Sequence, residues 1–144
     1  GVCSTRNVEI LRSIGADHII DYTEEDLAQH KERYDLVLGV NGSNSISTYK
    51  RVLKLNGKFV HVGGSESQLY QTLFLGPFIS LTGSKKISSL LQRANQKDLN
   101  DVKELLEIGK VKPIIGKRFK LSEITEAFKY FQEGHAQGKV VITL

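Results

Sequence analysis

The chain has 144 residues, 40% of them hydrophobic and 25% charged, with a formal net charge of +4 and one cysteine, Cys3. This length and composition suit a single ordinary domain with its own core and exclude a disordered chain. One cysteine excludes a disulfide framework and fits a reducing, cytoplasmic setting; scattered basic residues argue against a nucleic-acid partner, and no apolar run is long enough for a membrane span.

The apolar pattern switches repeatedly between strand-like and helix-like. "GVCST" is a short apolar run. From Asn7, residues Val8, Leu11 and Ile14 recur at helical spacing, and Gly15 follows as a stop. "HIIDY" (18–22) is a buried-strand candidate. Thr23 and Asp26 resemble a capping box opening a helix to about Arg33. "YDLVLGV" (34–40) is the clearest buried strand, and "NGSN" (41–44) is loop. Residues 45–55 place Ile46, Tyr49, Val52 and Leu53 on one helical face, with Asn56-Gly57 as the stop. "KFVHVGG" (58–64) reads as a strand, the seventies as a loop, and "FISLTGS" (78–84) as a further strand. Helical patterning resumes around Ser88 and from Leu99 to Ile108. "KPIIGKRF" is extended, Ser122 with Glu123 and Thr125 opens a last helix, and "GKVVITL" closes as a strand.

Strands alternating with helices through short loops predict right-handed crossovers and an α/β fold: a doubly wound parallel sheet with helices on both faces. Ligands of such sheets bind outside the carboxyl ends of the strands. The junctions to weigh are therefore Ser4-Thr5-Arg6, Tyr22-Thr23, Asn41-Gly42-Ser43, Gly63-Gly64-Ser65 and Thr82-Gly83-Ser84. Each is small, polar or glycine-bearing.

An NAD site needs an acid near the end of its second strand to take the ribose hydroxyls, and that acid would repel the 2′-phosphate of NADP. In "VCSTRN" Ser4 and Thr5 hold this place, with Arg6 one step on. A guanidinium is a fixed cation with fork-shaped donors suited to phosphate, and the hydroxyls add neutral donors. The competing reading makes Arg6 a solvated first-turn residue and Ser4 and Thr5 helix caps.

Four segments, "STRNVEILRSIGADHIIDYTEEDL", "YDLVLGVNG", "RVLKLNGKFVHVGG" and "KPIIGKRFKLSEITEAFKYFQEGHAQGKVVITL", make the chain resemble the medium-chain dehydrogenase/reductases, specifically the NADPH-dependent quinone oxidoreductase branch. The resemblance implies a Rossmann-like cofactor domain. It matches Ser4 and Arg6, with Thr5 between them, to contacts of the 2′-phosphate and Tyr22 to a tyrosine near that phosphate or the adenine. It matches Asn41 and Gly42 to the loop facing adenosine and diphosphate. Gly63 and Gly64, with Thr82, Gly83 and Ser84, match loops beside the nicotinamide, and Lys139 an end strand approaching the cofactor. The substrate implied is a small quinone or enone. No catalytic acid or base and no metal ligand is assigned, and the zinc-independent branch is expected.

Other residues have plainer readings. Cys3 reads as a buried strand residue, since no histidine pairs with it. His18, His30, His61 and His135 show no metal-ligand spacing, Asp17 and Asp21 lack an acid–base partner, and Phe128, Tyr130 and Phe131 read as core.

Two parts of the family pattern are not matched: the first strand with its Gly-rich turn, and the preceding substrate domain. Methionine is absent, so either an initiator was removed or the chain is a piece of something longer. The expected division is a truncated dinucleotide-binding domain over 1–108 and a return segment over 109–144. Without the central first strand, "VCST" and "LVLGV" are expected to face each other across a gap, with exposed edges that allow a homo-oligomer. The alternative function is a non-catalytic Rossmann-like interaction or structural module.

Overall fold

A computed structural model of the chain describes residues 1–134 and 136–144; the expectation for His135 lies outside the described residues. Two compact units form, Gly1–Gln92 and Arg93–Leu144.

In the first unit the chain runs β1 (Val2–Cys3), α1 (Val8–Ser13), β2 (Ile20–Asp21), β3 (Tyr34–Gly42), α2 (Ile46–Val52), β4 (Leu53–Gly64), α3 (Glu66–Thr82) and β5 (Lys86–Ser89). β1 pairs with β2, and β3, β4 and β5 form a three-stranded sheet in that order. Every pairing is parallel, as strand–helix–strand crossovers require. No ladder joins β1–β2 to β3 among the described residues, which is where the sequence pattern places a gap.

The core lies on one face of the β3–β5 sheet. Phe59 and Ile87 are opposite each other in register, and Tyr49 of α2 stacks on Phe59 at 4.3 Å between ring centroids. Ile46, Val52, Leu53, Ile20 and Leu27 complete the buried cluster, with Ile79 of α3 packed against it. Gly76 lets α3 approach β5: a Cβ there would lie 3.2 Å from the Ile87 carbonyl oxygen. The other face carries Leu36, Leu38 and Val40, which are 54%, 58% and 66% exposed. The expectation of helix cover on both faces is thus met on one face of this sheet.

Four local readings are corrected. The strand expected over 78–84, and the loop before it, are one 17-residue helix, α3, with Pro77 inside it. Its Tyr70, Leu73, Phe74, Leu75, Phe78 and Leu81 are all half-exposed or more, so no single apolar stripe marks it as a helix. The helix expected around Ser88 is strand β5, because Ile87 is drawn into the core beside Phe59. The helix expected from Thr23 to Arg33 is only a 3-10 turn, Leu27–Gln29, capped by Asp26. Thr23 is part of another motif: its amide and its hydroxyl both donate to the Asp21 carboxylate, at 2.9 and 2.7 Å. Asn56-Gly57 does not close α2, which ends at Val52. Instead Asn56 takes a left-handed φ of 62° inside β4, where the register against β3 jumps between Tyr34 and Leu36.

The second unit holds α4 (Gln96–Glu107), β6 (Ile115–Lys120), α5 (Ile124–Gln132) and β7 (Lys139–Thr143). β6 and β7 are parallel neighbours joined through α5. The core reading of Phe128 and Phe131 is overturned: they are 60% and 64% exposed, and the buried residue of α5 is Ala127. Tyr130 lies beside Phe119, with the Lys117 ammonium over both rings.

Candidate functional site

Parallel strands bring their carboxyl ends to one rim of the first unit. An open cleft of about 950 Å³ runs along the whole of β3, from Tyr34 to Gly42, between it and Gly1, Val2, His18, Ile20 and Tyr22, and reaches this rim at Asn41 and Gly42. The loop residues Ser43 and Asn44 also line it.

At the end of β1, Ser4 precedes a 3-10 turn, Thr5–Asn7, and makes no capping bond with its side chain. The cap reading is therefore not met at Ser4. Arg6 is exposed on that turn. Cys3 and Asp21 are register partners, so the two strand ends sit side by side. Thr5 Oγ1 and Thr23 Oγ1 are 2.8 Å apart, and Thr23 donates its hydroxyl proton to Asp21. The single Thr5 hydroxyl proton then points into this cluster, towards Thr23 or Asp21. These hydroxyls, that of Thr5 foremost, hold the Asp21 carboxyl below its ordinary value. Thr5 is therefore not a spare donor at this junction. Cys3 is buried and burial pushes its thiol up, in keeping with an inert strand residue.

The exits of β3 and β4 form the second part of the rim. Gly42 and Gly64 face each other in register. Asn41, Gly63 and Gly64 take positive φ values of 49°, 64° and 126°, which turn the chain at the strand ends and suit glycine. A Cβ on Gly64 would lie 3.1 Å from the Gly42 carbonyl oxygen, and one on Gly42 would collide with the Tyr49 hydroxyl. The backbone is thus bare and close-packed at both exits. Ser45 and Ser65 follow as helix caps, accepting from the Thr48 and Gln68 amides. These amides mark two helix N-termini opening at the same rim, each with the partial positive charge that favours anions.

The sequence reading does not bring all its candidates together. Tyr22, Asn41 and Gly42 line the cleft, Ser4, Thr5 and Arg6 lie at the neighbouring β1 exit, and Gly63 and Gly64 lie at the β4 exit. Thr82, Gly83 and Ser84 do not leave a strand. Thr82 ends α3, with its hydroxyl on the Phe78 carbonyl, and Gly83 caps it. They enter β5 from its amino end, the opposite rim. Lys139 belongs to the second unit, where it is exposed and starts β7, its amide donating to the Ile114 carbonyl at 2.7 Å. The sequence reading missed Gln68 and Gln71, whose signal was a Ser-x-x-Gln run (65–68) directly after a glycine pair.

The opposite rim differs in chemistry. Lys85 Nζ donates to the Lys50 carbonyl in the last turn of α2, at 2.7 Å, and Lys86 Nζ to the Ser80 carbonyl in the last turn of α3, at 2.8 Å. These lysines satisfy orphan carbonyls and complement the negative helix ends. Burial, followed by repulsion from Lys50 and Arg33, pushes the Lys85 ammonium down. Among the described residues no group of three or more His, Cys, Asp or Glu side chains is placed to hold a metal ion, and no helix is long and apolar enough to cross a membrane.

Known proteins are similar to this chain in sequence and in fold. The sequence profile of the zinc-binding dehydrogenases matches residues 14–142. The chain is 31% identical to the chloroplastic quinone-oxidoreductase QR1 of Triphysaria versicolor, over 97% of this chain and 43% of that protein. It is 30% identical to the chloroplastic NADPH-dependent alkenal/one oxidoreductase of Arabidopsis thaliana, over 96% of this chain and 32% of that protein. Its fold superposes on the quinone oxidoreductase of Coxiella burnetii with a TM-score of 0.77 and 26% identity, over 99% of this chain and 44% of that one. The chain therefore spans less than half the length of these relatives. With a parallel α/β fold of the Rossmann-like kind and a profile match across most of its length, the chain belongs to the zinc-binding dehydrogenase family.

Proposed function

We propose that the chain is the cofactor-binding portion of an NADPH-dependent oxidoreductase that reduces quinones or activated alkenes. The observation that carries this reading is the β4 exit at Gly63-Gly64, where φ values of 64° and 126° turn the chain and a Cβ on Gly63 would meet nothing within 4 Å, so that this backbone lies open to a flat or phosphorylated ligand. The names of the relatives, a quinone oxidoreductase and an alkenal/one oxidoreductase, support the substrate class.

When bound, the dinucleotide supplies a hydride. The chain's own residues position it. Ser4 and Arg6 would hold the adenosine end, with a hydroxyl and a cationic fork suited to a 2′-phosphate. Tyr22 and Asn41 would flank it across the cleft, and the backbone of Gly42, Gly63 and Gly64 would lie along the rest. Among the described residues no side chains form a zinc ligand set. Positioning and exclusion of water are what this rim contributes.

Titration of the chain with NADPH and NADH tests the reading. Tighter binding of NADPH, with the preference lost in Arg6→Ala, supports it; equal binding unchanged by Arg6→Ala removes the phosphate role. A non-catalytic module of the same fold would show no saturable binding of either dinucleotide.

A further inference from the structure

Gln68 occupies the third residue of α3, after the cap Ser65. In a Ser-x-x-Gln capping box the glutamine side chain turns back to the cap's own amide. Here it does not. Its Nε2 donates instead to the Asn44 carbonyl on the loop after β3, at 2.6 Å. Gln68 is 1% exposed, and its Oε1 has no partner. Burying an unpaired acceptor is costly, so something must hold this side chain where it is.

Both glycine exits lie against that carboxamide, and Gly64 makes room for it. A Cβ on Gly64 would stand 3.3 Å from Gln68 Oε1, and one on Gly42 would stand 3.7 Å from Nε2. One turn along α3, Gln71 Oε1 accepts from the Ile46 amide at 3.3 Å. The two glutamines thus grip the 44–46 segment from a carbonyl and an amide, on either side of the cap Ser45. Thr72 locks the turn between them by donating to the Gln68 carbonyl at 2.8 Å.

We infer that Gln68 is a positioning residue, whose buried carboxamide wedges between the Gly42 and Gly64 exits, ties the loop after β3 to α3, and so presents both exits to the cofactor as one rigid surface. The inference deepens the proposed function and rests on it, but its first test does not need the cofactor. Amide hydrogen exchange is measured by NMR on the full chain and on Gln68→Met, which keeps length and removes both polar atoms. Exchange at Gly42, Gly64 and Ile46 is expected to quicken at least tenfold, with Val37 to Val40 unchanged. Unchanged exchange at those three amides overturns the inference. A uniform increase along β3 and β4 also overturns it, because it reports a general loss of stability.

If Gln68→Met does not fold, Gln68→Glu, which keeps the size of the side chain and loses the donor to Asn44, carries the same test at Gly42 and Gly64. NADPH titration then adds the readout that a merely structural side chain leaves alone. Gln68→Met and Gln68→Glu, which both lose the donor to Asn44, are expected to weaken binding about tenfold; binding equal to that of the parent chain overturns the inference. Should the parent chain show no saturable NADPH binding, the proposed function falls, while the exchange pattern still decides the role of Gln68.

Discussion

The two rims of the β3–β5 sheet are built from opposite materials. At the rim where strands exit, the chain offers bare backbone: Gly42, Gly63 and Gly64, two capped helix N-termini and a buried carboxamide. At the rim where strands enter, it offers cations, and these are committed to the last carbonyls of α2 and α3. The contrast follows from the fold. Parallel strands joined by helices put every helix N-terminus at one rim and every C-terminus at the other, and each rim attracts the charge its helix ends lack. The lysines of the entry rim are therefore a structural feature, and the exit rim is the one to which the proposed function assigns the anionic cofactor.

Substitutions separate the two rims. Phe59 lies beneath both, fully buried against Tyr49 and beside Ile87. Phe59→Ala is expected to cost about 3–5 kcal/mol and to abolish the distinction, with both rims lost together in denaturant melts. Gly64→Ala places a Cβ at a φ of 126°, between the Gly42 backbone and Gln68. It is expected to cost about 1–3 kcal/mol and to weaken NADPH binding more than tenfold, an effect confined to the exit rim.

Lys85→Met removes a carbonyl cap and also relieves the repulsion from Lys50 and Arg33. A net loss of no more than about 1 kcal/mol, with NADPH affinity unchanged, is expected from thermal melts and titration. The smallest effect is one of pH. Thr5 and Thr23 hold the Asp21 carboxyl below its ordinary 3.8, and Lys54 does the same for Asp35. A folded value below the unfolded one contributes stability above the unfolded value, and that stability is lost as pH falls through the folded value. Melts between about pH 5 and pH 2 should show this fall in the parent chain and a shallower one in Asp21→Asn.

Much of the exit rim was legible in the sequence because glycines after continuous apolar strands carry a conformational meaning that survives without coordinates. "VLGVNG" and "VHVGG" announced both the strands and their exits. The gap beside β3 was legible too, from the strand that the pattern lacked. What failed was local reading where tertiary contacts decide. The run "FISLT" has strand-like composition, yet it is the end of α3, carried past Pro77 by packing of Gly76 and Ile79 on the core. That single error sent Thr82, Gly83 and Ser84 to the wrong rim. The partner of the Thr5 hydroxyl lies 18 residues away, which no local pattern reveals. Gln68 was missed for the same reason, since its partner lies 24 residues back.

The most direct measurement is a map of NADPH-induced shifts in the amide NMR spectrum of the full chain. The account predicts that shifts cluster at Ser4 to Arg6, Tyr22, Asn41 to Asn44 and Gly63 to Ser65, and spare Thr82 to Lys86. Shifts centred on Thr82 to Lys86, or none at saturating cofactor, would contradict it.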